Sequence, residues 1–353
     1  MLRKIGYGLL ALCLLTALML GVALWLQQQA LEQELHLSEA QLLDVAPGST
    51  PGQQFLELER NGLIEGAFWL RLYWRLHHAE TSLYAGEYAL TPGMRMQDLL
   101  ERWLDREVVQ YHLTLVEGWS FRQLRANLEA SPKLAQSLEG LTDEQVMAQL
   151  GYPDLHPEGR FFPDTYQYTK GVTDLDILKR AFARLERILQ EEWAKRAKNL
   201  PYDTPYQALI MASIIEKETG VPEERDQIAG VFVRRLEKGM LLQTDPTVIY
   251  GLGEHYTGQL NRTHLRTPTP YNTYTQAGLP PTPIAMPGRA AIQAALHPAA
   301  GTSLYFVAKG DGSHVFSDTL EQHNLAVRQY QLNRRADYRS SPAPRPAESE
   351  PSE

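Results

Sequence analysis

With 353 residues, 43% of them hydrophobic and 22% charged, the chain is long enough for two or three modest domains with real cores. A net charge of -8 excludes the basic surface of a dedicated nucleic-acid binder, and no helix-turn-helix, zinc-finger or P-loop pattern occurs. The single cysteine, Cys13, excludes an intramolecular disulfide and a cysteine-based zinc site.

Ile5 to Leu26 is a run of 22 residues without a charge. As a helix it is long enough to cross a hydrocarbon core of about 30 Å. Arg3 and Lys4 precede it, and Glu32 and Glu34 follow. The positive-inside rule therefore expects a cytoplasmic tip at 1–4, a transmembrane helix at 5–26 and the remaining chain outside. A cleaved signal peptide would have a shorter apolar core and a small-residue site, whereas this segment exits through Leu-Trp-Leu-Gln. Leu12, large and directly before Cys13, speaks against a lipoprotein site.

Residues 27–40 read as a helical stalk. Leu42 to Val45 reads as a strand, Gln53 to Asn61 and Phe68 to His77 as helices, and Ala85 to Leu90 as a second strand. With the helix expected from Met96 to Asp105, this makes a small β-α-α-β unit over 41–110. The second region, 111–332, reads as mixed α+β. It opens with a strand from His112 to Val116 and continues with helical segments from Ser120 to about Leu150. An aromatic turn-like stretch from Gly159 to Thr169 precedes a long amphipathic helix from Asp174 to Lys198. Further helices are expected from Pro205 and from Glu223 to Lys238. Residues 240–290 form a long irregular segment whose aromatic residues argue against disorder. A hairpin at Leu304–Ala308 and His314–Ser317 and a last helix through Tyr330 complete the region, and 333–353 reads as a disordered tail.

The helix after Pro205 carries the most chemistry. Thr204 and Gln207 have capping-box spacing, Ala208 to Ile215 is apolar except for Ser213, and Gly220 and Pro222 stop the helix. Glu216 thus ends a helix wrapped by protein. Apolar surroundings and the negative end of the helix dipole both favour its proton, as a general acid requires. The competing reading is an exposed glutamate in a charged last turn. Glycoside hydrolysis normally needs a second carboxylate. Glu218, at i+2, points to a different side of the helix, so Glu158 and Asp164 are the better outside candidates, with turn and cap roles as their alternative. Gln243, Thr244, Asp245, Tyr250, Asn272, Thr273 and Tyr274 supply the amides, hydroxyls and rings that suit a sugar, although each alone also fits a turn, and Asp245-Pro246 also fits a helix start. His314 and His323 could meet in space, but no tight metal-ligand spacing occurs, so no metal and no cofactor is expected. There is no GxSxG motif for a serine hydrolase.

These residues closely resemble the endolytic murein transglycosylase (YceG-like) family. The matching stretches are Glu158-Gly-Arg-Phe-Phe-Pro-Asp-Thr-Tyr166, Ala212-Ser-Ile-Ile-Glu-Lys-Glu-Thr219 and Leu242-Gln-Thr-Asp-Pro-Thr-Val-Ile-Tyr-Gly251. Tyr271 to Tyr274, Gly278 to Pro281, and Tyr305 to Ala308 through His323-Asn324 continue the match, with Ala85 to Leu90 and Val116 to Gly118 toward the N-terminus. The resemblance implies a single-pass inner-membrane lyase with a LysM-like subdomain at 41–110 and a catalytic domain at 111–332. Its partners are peptidoglycan glycan strands, the membrane and peptidoglycan synthases (penicillin-binding proteins). The bond cut is the β-1,4 link between N-acetylmuramic acid and N-acetylglucosamine, leaving a 1,6-anhydro end. Carried over, the catalytic acid is Glu216, the cleft residues are Gln243, Asn272 and Tyr274 with their neighbours, and Glu158, Asp164, Glu218, His314 and Asn324 are supporting candidates. The sugar's own C6 hydroxyl attacks, so one glutamate suffices. A non-catalytic glycan-binding scaffold of the same architecture is the alternative.

Overall fold

In the computed structural model, which describes residues 2–332 (residues 2–4 by backbone alone), the chain forms two compact units. One runs to Tyr111 and includes Gln167–Val172; the other holds His112–Tyr166 and the chain from Thr173 onward. The tail expected at 333–353 lies outside the described residues.

The first unit contains α1 (Leu2–Glu32), β1 (Gln41–Val45), α2 (Pro51–Arg60), α3 (Ala67–His77), β2 (Gly86–Leu90) and α4 (Met96–Asp105). The strands pair antiparallel from Gln41 opposite Leu90 to Val45 opposite Gly86. Thr50 and Gln53 close a capping box on α2, with Pro51 at the first turn. Phe55, Trp74, Tyr88 and Trp103 fill the core, with Phe55 and Trp103 ring centres 5.4 Å apart. Residues 27–35, expected as part of a separate stalk, belong to this core. Gln27, Ala30 and Leu35 are buried, and Leu35 N–H donates to the Met94 carbonyl at 2.8 Å.

Further along the chain, β3 (Tyr111–Thr114) pairs with β4 (Thr165–Tyr168). Between them lie α5 (Phe121–Glu129) and α6 (Asp143–Gln149), followed after β4 by α7 (Asp174–Ala194), α8 (Pro205–Glu218) and α9 (Arg225–Glu237). The irregular segment holds α10 (Asp245–Leu252) and α11 (Arg262–Arg266). Then come α12 (Arg289–Leu296), the antiparallel hairpin β5 (Tyr305–Ala308) and β6 (His314–Ser317), and α13 (Leu320–Val327). Strand β4 falls where the sequence reads as turn, and α10, α11 and α12 are too short to show clear periodicity. The fold is mixed α+β.

Helix α8 is the axis of this second core. Every residue from Ala208 to Ile215 is buried, packed by α7, α9, α10 and most extensively α12. Ser213, its one polar residue there, donates to the Ile210 carbonyl at 2.7 Å and accepts Ile284 N–H at 3.0 Å, so burial leaves no orphan group.

Candidate active site

Thr204 caps α8 by accepting Gln207 N–H at 3.3 Å, while the Gln207 side chain accepts from Asp203 N–H at 2.6 Å instead of closing the expected box on Thr204. At the other end Thr219 turns extended, so the helix stops at Glu218, before Gly220. Glu216 and Glu218 therefore share the last turn. At about 100° per residue, their side chains leave the helix on opposite sides.

Glu216 turns toward α12. Its Oε2 accepts Gly288 N–H at 3.0 Å, at the N-terminus of a helix that no side chain of its own caps. Arg225 Nη2 stands 3.8 Å from Oε1. A Cβ on Gly288 would lie 1.9 Å from a Glu117 carboxyl oxygen, so only glycine lets Glu117 lie there. Lys217 Nζ donates to the Gly118 carbonyl at 3.1 Å, fixing the same loop. Burial pushes the Glu216 carboxyl up; the Gly288 amide opposes this, Glu117 adds to it, and Arg225 and Lys217 oppose it.

Glu218 turns toward the 243–274 segment. Thr244 donates its hydroxyl to Glu218 Oε1. Asp245 follows, exposed, with Tyr274 donating to its Oδ1 at 2.6 Å. Burial pushes the Glu218 carboxyl up to about 7; Thr244 lowers it, Asp245 raises it and Arg235 lowers it. Burial, then its bond to Asp245, raises the Tyr274 phenol as well. Gln243 holds a left-handed backbone at φ 52°, anchored by its N–H on the Thr273 carbonyl at 3.1 Å, and its side chain is exposed. A non-glycine residue in that region is a strained placement of the kind found at functional sites.

Among the described residues Glu216 shares no hydrogen bond or ion pair with Gln243, Asn272 or Tyr274. Thr244, Asp245 and Tyr274 gather round Glu218. The two carboxylates leave α8 on different sides, and the 243–274 segment meets the side of Glu218.

The other candidates have structural partners. The Asn272 amide donates to the carbonyls of His264, Leu265 and Thr267 and its Oδ1 accepts Tyr274 N–H at 2.9 Å, so it clamps the loop. Thr273, buried, links Thr244 N–H at 3.1 Å and the Thr247 hydroxyl at 2.9 Å. Glu158 caps α5 through Phe121 N–H at 3.0 Å and accepts the Tyr250 hydroxyl at 3.1 Å; burial pushes it up to about 7. Asp164 pairs with Arg184. His314 Nδ1 lies 2.7 Å from Glu224, and its N–H donates to the same carboxyl, which ties the hairpin to the start of α9. His323 stacks on Tyr305, away from His314, and Asn324 is exposed on α13. Among the described residues no group of three or more His, Cys, Asp or Glu could hold a metal ion. Glu117, Arg225 and Gly288 went unnoticed as neighbours of Glu216; only Val116-Glu-Gly118, among the matched stretches, pointed toward Glu117.

A depression of about 550 Å³ lined by Tyr206, Gln207, Leu279 and Pro280 lies at the opposite end of α8 from Glu218 and carries no carboxylate.

A buried carboxyl of raised proton affinity, beside hydroxyls and an exposed amide, has the parts of a proton-transfer site for a polar substrate. The chain belongs to the YceG-like family, whose model matches residues 43–329. It is 33% identical over 308 residues to a Bacillus subtilis (strain 168) protein named endolytic murein transglycosylase, covering 82% of this chain and 84% of that one. A Streptococcus pneumoniae (strain D39) protein of the same name is 27% identical over 320 residues, and the match spans 81% of this chain but 57% of the pneumococcal one. A crystal structure of a yceG-like protein from Listeria monocytogenes superposes with a TM-score of 0.54 at 30% identity, covering 82% of this chain and 99% of that one.

Proposed function

We propose that this chain is an endolytic murein transglycosylase, a lyase that cuts the β-1,4 bond between N-acetylmuramic acid and N-acetylglucosamine inside glycan strands. It leaves 1,6-anhydro ends and so ends the elongation of nascent strands. Family membership and the names of its relatives support the reaction class.

One observation carries the assignment of the acid: Thr244, Asp245 and Tyr274 close on Glu218, whose carboxyl is pushed up to about 7. Protonated Glu218 gives its proton to the leaving O4 as the C1–O4 bond breaks. The C6 hydroxyl of the same sugar attacks C1, and the Glu218 carboxylate takes the O6 proton, which restores the acid without water. Thr244 holds one carboxyl oxygen, leaving the other for the transfer. Gln243, exposed and without a side-chain partner among the described residues, is the amide offered to sugar hydroxyls. The second reading keeps Glu216 as the acid, favoured by its raised proton affinity beside Glu117. Against it, Gly288 N–H donates to Glu216 and Arg225 stands 3.8 Å from it, so this carboxyl is engaged at the start of α12.

The helix from Ile5 to Glu32 holds an 18-residue stretch of mean hydropathy 2.6 and is long and apolar enough to span a membrane. Arg3 and Lys4 favour a cytoplasmic N-terminus and a periplasmic catalytic region at the inner membrane, where peptidoglycan synthases are the natural partners. The β-α-α-β order of the first unit supports a LysM-like glycan-binding role. Mass spectrometry of glycan strands digested by the detergent-solubilised chain in ¹⁸O-water tests the reaction. Unlabelled 1,6-anhydro ends are expected; labelled reducing ends would show hydrolysis and overturn it.

A further inference from the structure

The apolar helix α1 does not end where the apolar run ends. It continues unbroken to Glu32, and from Gln27 onward it is built into the core of the first unit. No loose joint separates that unit from the span.

Helix α3 packs on α1. Its start is tied beside Gln33, whose side chain accepts Glu65 N–H at 2.8 Å and donates to the Glu65 carbonyl at 2.9 Å. On α1, Ala23 and Leu26 are half-buried in line with buried Gln27 and Ala30, at helical spacing. A neighbour therefore lies along α1 back past Gln27. From Ala67 to His77, α3 is about 15 Å long, and from Gln33 back to Leu26 is about 11 Å. A helix of that length laid along α1 from Gln33 spans the distance to Leu26, where the apolar run ends. The far end of α3 holds Arg75, His77 and His78, with Leu76 66% exposed, and no acidic residue occurs from Ala67 to Ala79. In a chain of net charge -8, this tip joins one fixed cation, Arg75, and two imidazoles to an exposed leucine, with Glu80 following.

We propose that the end of α3 from Arg75 to His78 is seated in the headgroup layer of the bilayer crossed by α1, its partner being an anionic lipid surface. Leu76 meets the acyl boundary while Arg75 and the imidazole N–H groups of His77 and His78 meet phosphates. The seat fixes the first unit on the membrane instead of letting it swing on a tether. The inference rests on α1 being a membrane span.

The test uses the full chain with Cys13→Ser, reconstituted in phosphatidylethanolamine–phosphatidylglycerol vesicles and carrying one nitroxide at Leu15→Cys, Phe68→Cys or Leu76→Cys. Phe68, 65% exposed at the opposite end of α3, is the control. Collisions with lipid-dissolved oxygen are compared with those of a water-soluble nickel chelate. The oxygen-to-nickel ratio is expected to be high at Leu15, intermediate at Leu76 and low at Phe68, and to fall at Leu76 with Arg75→Glu or in neutral phosphatidylcholine vesicles. A high ratio at Leu15 with equal, low ratios at Leu76 and Phe68 overturns the seat while leaving the anchor standing. A low ratio at Leu15 overturns the anchor, and the seat with it.

Discussion

Tyr274 donates its phenol to Asp245 at 2.6 Å, one residue beyond the threonine that holds Glu218. Asp245 and Thr244 act on Glu218 with opposite signs. Asp245 raises its proton affinity by like-charge repulsion, and Thr244 lowers it by donating to the carboxylate.

Activity that needs protonated Glu218 falls as pH rises through its pKa of about 7. Asp245→Asn removes the repulsion and moves this basic limb to lower pH; Thr244→Val removes the donor and moves it to higher pH. Profiles of kcat/KM against pH for the two variants check this. Shifts in the same direction, or none, contradict the geometry.

Glu158 predicts a slope of stability with pH. Its carboxyl is raised from 4.5 to about 7 by burial, so the folded protein binds a proton that the unfolded chain has released. Stability is then full below the unfolded value and is lost as pH rises toward about 7. The gap of ~2.5 units corresponds to roughly 3 kcal/mol. Glu158→Gln, a mimic of the protonated form, is expected to flatten denaturant midpoints between these pH values and to raise the midpoint on the alkaline side. An unchanged slope would show that Glu158 is not the group involved.

Gly159 and Gly118 both hold positive φ, but their surroundings differ. A Cβ on Gly159 would meet the Pro283 ring at 2.4 Å, while one on Gly118 finds its nearest neighbour, the Lys217 chain, at 3.7 Å. Backbone strain of about 1 kcal/mol applies to both, and overpacking adds about 1–3 kcal/mol at Gly159 alone. Gly159→Ala should therefore lower thermal stability clearly more than Gly118→Ala; equal losses would count against the close approach of Pro283.

Much of this architecture is legible in the chain. The Thr-Pro start and apolar run of α8, the β-α-α-β order and the β5–β6 hairpin follow local patterns that tertiary packing reinforces. What local pattern does not carry is which face of a buried helix end a distant loop covers. Glu216 and Glu218 are both carboxylates in one last turn. Only the fold of 243–274, pinned by Asn272 on three carbonyls, brings Thr244 to Glu218. In the same way, only the packing of Gly288 shows that Glu216 caps α12. Helices such as α11, with five residues, are too short for a period to show.

The central claim is that Glu218 moves the proton and Glu216 holds α12. Release of 1,6-anhydro products should be measured for Glu218→Gln and Glu216→Gln, each shown to be folded by circular dichroism. Loss of the acid should lower kcat by at least about two orders of magnitude in Glu218→Gln. Glu216→Gln, losing mainly a cap, should keep most of its kcat and lose about 1 kcal/mol of stability. A folded Glu218→Gln with near wild-type turnover, beside an inactive and folded Glu216→Gln, would contradict the account.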